Sequence, residues 1–365
     1  MGFAFIKHNT NIDFMGMRFY SYGLSALFLL VGIVYILFFG GLKMGIDFAG
    51  GVIVQVQFAQ KVDDNDLKKS MDIPELPGIS TQRFGEDGRN YLLRFSSSET
   101  DATSLRSNVV AALEKSFPGN NASIERLELV GPKVGADLAN KALEALYYSI
   151  LLIAVYISGR FEQRWMAGAI MAGALWGGMY LLGFTGLGMG SMVFFSLAIC
   201  LFVCWKLRLN FALGAIIGLL HDVSITVGIL AMMGVELDLN VVAAILTLVG
   251  YSLNDTIIVY DRLRENLRSS PELPLIDIIN HAVNQTLSRT ILTSATTFVA
   301  VLSLYLLGGG VIHDFALTML LGVFIGTVSS VYISSAILLA LGDTELYVRM
   351  QAKEEYEKPG EHGIV

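Results

Sequence analysis

The chain has 365 residues, 54% of them hydrophobic and only 16% charged, with a mean hydropathy of +0.59 and a formal charge of −7. That balance excludes an ordinary soluble globular protein, and the absence of a basic excess argues against nucleic acid as a partner. A content of 37 Gly and 7 Pro suits helices packed closely in lipid, so the expected class is a polytopic α-helical membrane protein.

Residues 1–18, with Lys7 and Arg18, read as a cytoplasmic N-terminus whose NIDFMGMR segment lies along the membrane surface. Residues 19–40 form a first span, too long for a signal-peptide core and without a small-x-small cleavage site, so it stays as an anchor. GIDFAGG follows at 45–51 and leads into the alternating run VIVQVQF. Its glycines permit a sharp exit from membrane to strand, and the lack of a following Lys-Ser/Thr argues against a phosphate loop. The 51–130 stretch reads as strand 51–58, helix 63–72, strand 79–84, strand 89–95, helix 101–116 and strand 122–130. That βαββαβ order predicts one ferredoxin-like α+β domain, extracytoplasmic with its stalks over 41–141. It holds no His and no Cys, and Ser96–Ser98 have no nearby base, so a binding or mechanical module is expected.

From 142 the chain reads as seven further spans: 142–158, 166–183, 190–205, 211–233, 239–261, 288–307 and 315–340. With the first, that makes eight. Loops on one side carry Arg160 and Arg164, Lys206 and Arg208, then Arg262, Arg264, Arg268 and Arg289, while the short opposite loops 184–189, 234–238 and 308–314 hold no Lys or Arg. The asymmetry predicts both termini in the cytoplasm. Residues past Pro274 read as a surface amphipathic helix, and the charged tail 341–365 as cytoplasmic and disordered at its end. Cys200 and Cys204, four apart, read as buried thiols on one helix face; no metal and no cofactor is expected.

Polar residues inside apolar runs are costly and mark function by default. Asp255, with Asn254, lies within 239–261, and Asp222, with His221, near the centre of 211–233. Asp255 reads as a proton-relay acid, against the alternative of a structural carboxylate bonded to Ser252 and Asn254 or to an Arg. Asp222 divides evenly between relay member and helix-pairing residue bonded to Asn254 or a hydroxyl. Arg289 either snorkels to the interface or holds Asp255 ionised, and hydroxyls such as Thr290, Thr293, Ser294 and Thr297 form a polar stripe beside it.

GIDFAGG, VGPKVGADL, LLHDV, GYSLNDTIIVYDRLREN, TLSRTILTSATT and FALTMLLGVFIGTVSS occur in that order. Together they resemble the SecD/SecF family of bacterial protein-export membrane proteins, on its SecF side. The resemblance implies residence in the inner membrane, SecD as partner, the SecYEG channel and a translocating preprotein as clients, and protons as the energy source. It places Asp255 and Arg289 on a proton pathway, and makes Gly45, Asp47, Gly50, Gly51, Gly131 and Pro132 the two stalks. Membrane lipids are the remaining expected partner. The family usually has six spans; the surplus lies at 166–205. RFEQRWMAGAIMA (160–172) and KLRLNFALGAIIG (206–218) align at an offset of 46, which reads either as a local duplication that lost the His221–Asp222 pair or as chance similarity. A proton-coupled half-transporter of the resistance-nodulation-division type and a non-transporting assembly scaffold stay open, and an enzyme is least expected.

Overall fold

A computed structural model of the chain describes residues 10–71, 79–84, 88–95, 102–162, 165–270 and 272–341. The expected cytoplasmic tail, the first nine residues and Ser96–Ser98 lie outside the described residues.

The first long helix, α1 (Arg18–Phe38), is followed by a single turn, α2 (Ile46–Ala49), and then by an α+β domain: β1 (Gly51–Gln57), α3 (Asp64–Met71), β2 (Ser80–Phe84), β3 (Asn90–Phe95), α4 (Ala102–Ser116) and β4 (Ser123–Val130). The four strands form one sheet in the order β2-β3-β1-β4, every pair antiparallel. Alternation along β1 and β3 sends Val52, Val54, Val56, Tyr91, Leu93 and Phe95 to one face, where Leu67, Leu105, Val109 and Leu113 of α3 and α4 complete a separate core. The Tyr91 hydroxyl donates to Val62 O and to the Asp64 carboxylate, both at 2.7 Å, so the buried phenol has its partners.

The remaining chain is helical: α5 (Pro132–Glu162), α6 (Trp165–Gly183), α7 (Met189–Lys206), α8 (Asn210–Met233), α9 (Leu239–Ser269), α10 (Leu275–Leu307), α11 (Gly310–Ser329), a π-helical turn over Ser330–Ser334, and α12 (Ser335–Leu341). Local chemistry sets their ends. Pro132 opens α5, where its missing N–H removes no bond. Asp238 caps α9 by accepting from the Val241 N–H at 2.8 Å. Gly234, with φ +72, ends α8 in the left-handed cap that glycine adopts without a Cβ penalty.

Among the described residues, seven helices are long and apolar enough to cross a membrane: Arg18–Phe38, Pro132–Phe161, Met189–Lys206, Asn210–Met233, Leu239–Ser269, Leu275–Leu307 and Ile312–Leu341. The eighth expected span falls on α6, whose apolar stretch Gly168–Gly183 is shorter than the others. The bundle centres on α8, α9 and α11, which bury the most residues, while α1 lies outside and packs mainly on α8. There Gly32 and Gly228 let two backbones touch: a Cβ on either would fall 3.1 Å from the other's Cα.

Two findings depart from the sequence expectation. The segment after Pro274 is not a separate surface helix but the first turns of the continuous α10, with Ile278, Ile279, Ala282 and Val283 packed in the main core near Leu263 and Leu267 of α9. The N-terminal segment makes contacts that the sequence did not announce. It docks on α10 through Ile12 N–H to Asn284 Oδ1 (3.0 Å), Met15 N–H to Asn280 Oδ1 (2.9 Å) and Asn280 Nδ2 to Asp13 Oδ1 (2.9 Å), with Met15 fully buried.

Candidate functional site

Asp222, at the middle of α8, is 0% exposed, and its three neighbours come from two other helices and its own. Ser252 of α9 donates to Asp222 Oδ2 at 2.5 Å, and His221 Nδ1 lies 2.8 Å from Asp222 Oδ1. The other ring nitrogen of His221 lies 2.9 Å from Ser25 Oγ of α1. A Ser25–His221–Asp222–Ser252 chain therefore crosses the bundle. Gly326 of α11 closes it from the side: a Cβ there would sit 3.1 Å from Ser252 Cβ and 3.5 Å from Asp222 Oδ2.

Asp255, one turn beyond Ser252 on α9, is 1% exposed and faces the opposite neighbours. Ser294 of α10 donates to Asp255 Oδ2 at 3.3 Å, and Thr327 of α11 donates to Ser294 Oγ at 2.7 Å. Asp255 Oδ1 is buried without a hydrogen-bond partner, as is the nearby Thr290 hydroxyl. Hydroxyls donate or accept as their rotors turn, so the Asp255–Ser294–Thr327 ladder, which also reaches the Val323 carbonyl, can serve either protonation state of the carboxyl.

The remaining sequence candidates fall elsewhere. Asn254 is exposed, and of the two partners expected for Asp222, Asn254 or a hydroxyl, the structure places a hydroxyl there, that of Ser252. Arg289 is exposed on α10, and among the described residues no ion pair joins it to Asp255. Around the two carboxylates, Thr327 and Gly326 are neighbours that sequence reasoning missed, whereas Ser294 lay in the expected polar stripe and Ser252 was expected beside Asp255 rather than Asp222. Hydroxyls and glycines are common in membrane helices, and only the bundle shows which ones face a carboxylate. Cys200 and Cys204 are buried on α7, with the Cys204 thiol donating to Met171 Sδ at 3.4 Å.

The stalk residues converge on the start of α9. Gly45 N–H donates to Leu237 O at 2.7 Å, and a Cβ on Gly45 would fall 3.0 Å from that oxygen. Asp47 Oδ2 accepts from the Leu239 N–H at 2.9 Å. Gly50, with φ +78, passes so close to α5 that a Cβ would meet Pro132 Cα at 2.9 Å, and Gly51 begins β1. A Cβ on Gly131 would meet nothing within 4 Å, so packing does not require glycine there. From the sheet, Arg94 pairs with Glu236 of the α8–α9 loop at 2.5 Å. Between the open sheet face and these loops lies a cavity of about 250 Å³, lined among others by Asp47, Arg94, Glu236, Asp238 and Asp314. Burial pushes the Asp238 carboxyl above the usual range, the Val241 N–H opposes that rise, and the Asp47 and Asp314 carboxylates add to it.

Comparison with known proteins locates this architecture. The profile described as "Protein export membrane protein SecD/SecF, C-terminal" matches residues 109–188 and 183–344, and the "SecD/SecF GG Motif" profile matches 35–62, which spans Gly45–Gly51. The chain is 34% identical to the protein translocase subunit SecF of Calditerrivibrio nitroreducens, over 91% of this chain and 95% of that one. It is 34% identical to the SecF of Escherichia coli O157:H7, over 96% and 94%, and 38% identical to that of Magnetococcus marinus, over 91% and 92%. Among solved structures, a Thermus SecDF described as a translocon-associated membrane protein superposes with a TM-score of 0.66 at 28% identity. That match covers 93% of this chain and 40% of the Thermus chain.

Proposed function

Because the chain belongs to the SecD/SecF family, as a protein similar to SecF throughout its length, we propose that it is the SecF-type subunit of a proton-driven export machine. Its coarse role is that of the family, an accessory in protein export. In the proposed arrangement it works with SecD and beside the SecYEG channel in the inner membrane, with both termini cytoplasmic and 41–141 outside. The outer unit acts as a ferredoxin-like domain, for which the β2-β3-β1-β4 antiparallel order speaks. Eight spans, with α6 as the shortest and α6–α7 as an added pair, fit the charge asymmetry of the loops.

One observation carries the mechanism: the helix that holds Asp255 is the helix whose first N–H is held by Asp47 of the stalk. A proton reaching Asp255 removes its charge and resets the Ser294–Thr327 hydroxyls around it. The helices α9, α10 and α11 then repack, and α9 carries the movement to Asp47, to α2 and so to β1. Asp222, with His221, holds α8 against the same region of α9 through Ser252. One proton crossing about 100 mV supplies roughly 2.3 kcal/mol, enough to bias a two-state element. In this reading Arg289 is a surface cation at the cytoplasmic approach rather than the fixed partner of Asp255.

Export of a slow-maturing secretory protein, with SecD present and complex levels matched, tests the proposal. Asp255→Asn should abolish proton-dependent export while the complex still assembles. Full export with Asp255→Asn would leave an assembly scaffold as the reading.

A further inference from the structure

At about 1.5 Å per residue the 31 residues of α9 extend roughly 46 Å, against an apolar core of about 30 Å. The end from Asp261 onward therefore projects beyond the hydrocarbon. It carries Arg262, Arg264 and Arg268, and Arg160 of α5 comes to meet it. Arg160 Nη2 donates to Asp261 Oδ2 at 2.8 Å, and Arg262 Nη1 donates to Glu265 Oε2 at 2.7 Å. Those two ion pairs use both carboxylates of the corner. Among the described residues no carboxylate lies within 4.0 Å of Arg264 or Arg268.

Arg264 is held in place all the same. Its Nη1 donates to the Arg160 carbonyl at 3.0 Å, and its Nε is buried without a partner. A charged donor fixed in position and left unsatisfied has a cost that a bound acceptor would remove. Arg264 and Arg268, one turn apart, line an open depression of about 400 Å³ together with Ser269 and with Asp261 and Glu265, the carboxylates already paired with Arg160 and Arg262. At the neighbouring α5–α6 corner, Trp165 packs where a Cβ on Gly159, the residue before Arg160, would fall, and its indole stays 62% exposed. An exposed indole at that level marks the boundary between headgroups and hydrocarbon.

We propose that Arg264 and Arg268, steadied by Arg160, form a binding site for a phosphate-bearing anion, and that its occupant is the headgroup of an anionic phospholipid. Planar guanidiniums match phosphate oxygens, and the four arginines of this corner outnumber its two carboxylates, an excess that attracts anionic lipid over zwitterionic lipid at the membrane surface. The last-turn position of Arg268 also offsets the negative end of α9, which keeps that end from repelling the anion. The acyl chains would lie along the exposed indole of Trp165.

The test is lipid retention by the full chain, read by native mass spectrometry after reconstitution in phosphatidylglycerol or phosphatidylcholine nanodiscs. The wild type should retain phosphatidylglycerol in preference to phosphatidylcholine. The Arg264→Gln/Arg268→Gln pair should lower that preference about tenfold, the scale of one lost charge-assisted contact. If the pair also lowers the thermal midpoint in phosphatidylcholine, Arg268→Gln alone, at the exposed end, should still reduce retention. Equal retention by wild type and variants would overturn the site. Displacement of the lipid by millimolar inorganic phosphate would overturn the lipid as its occupant.

Discussion

The Asp47 carboxylate accepts a hydrogen bond from the Leu239 N–H, 192 residues away, and so ties the first stalk to the first residue of α9. Asp238 meanwhile serves the Val241 N–H of the same turn. Two carboxylates from different segments thus share the otherwise unpaired donors of one helix start. Asp47→Ala should lower stability by about 1 kcal/mol, the usual loss for a removed cap, whereas Asp47→Asn keeps an acceptor and should lose less. Thermal unfolding in detergent measures both, and export at matched complex levels should fall more for the alanine variant.

Ser252 is the hydroxyl that joins α9 to Asp222. Ser252→Ala leaves Asp222 Oδ2 buried without its donor, a loss of roughly 1–3 kcal/mol. In Asp222→Asn the same serine change should matter less, because a neutral amide is a weaker acceptor. A double-mutant cycle on the thermal midpoint should show this coupling, and additive effects would separate the two residues.

Helix spacing in the core depends on Gly322, where a Cβ would fall 2.5 Å from both methyls of the fully buried Leu248. Gly322→Ala should therefore destabilise by about 1–3 kcal/mol through overpacking. Gly250 of α9 has nothing within 4 Å, so Gly250→Ala should be neutral or slightly stabilising. Chemical denaturation in mixed micelles should rank the two variants in that order.

Asp238 offers a pH test whose sign is fixed by its raised pKa. In the folded chain its carboxyl holds a proton at higher pH than in the unfolded chain, so ionisation near neutrality lowers stability. The deficit is relieved as pH falls through the raised value and toward the ordinary 3.8. Asp238→Asn keeps a capping oxygen without the charge. The variant should be the more stable at pH 7, and its advantage should shrink on acidification. An advantage constant with pH would place the effect outside ionisation.

The α+β domain was the most legible part of the chain, because the VIVQVQF alternation and the polar stretch around it announce strands with one buried face. The two carboxylates were legible as well, since an acid inside an apolar run stands out against its neighbours. Their partners were not. Ser252 was expected on Asp255 rather than Asp222, and Thr327 and Gly326 look like ordinary membrane-helix residues until the packed helices bring them to the two carboxylates. Arg289 was legible only as two alternatives, an interface cation or a partner of Asp255; its side chain is exposed and, among the described residues, makes no ion pair with Asp255, while Ser294 of the same helix meets the carboxylate. The docking of the N-terminal segment on Asn280 and Asn284 was not legible either, because nothing local in an amphipathic run reveals a segment that returns from 265 to 272 residues away to cover it.

The π-turn at Ser330–Ser334 leaves α11 and α12 with one residue more than a regular helix would accommodate. It is held open by the Ser335 hydroxyl on Ser330 O at 3.0 Å and the Tyr260 hydroxyl on Ser334 O at 3.1 Å. Tyr260 belongs to α9, so the helix of Asp255 also keeps this extra residue in place. If the turn tightened to regular α geometry, everything after it would rotate by about 100° and advance by roughly 1.5 Å, a change the chain can make without unwinding. The last helix is thus geared to α9, and its neighbours in the membrane would feel α9 turn.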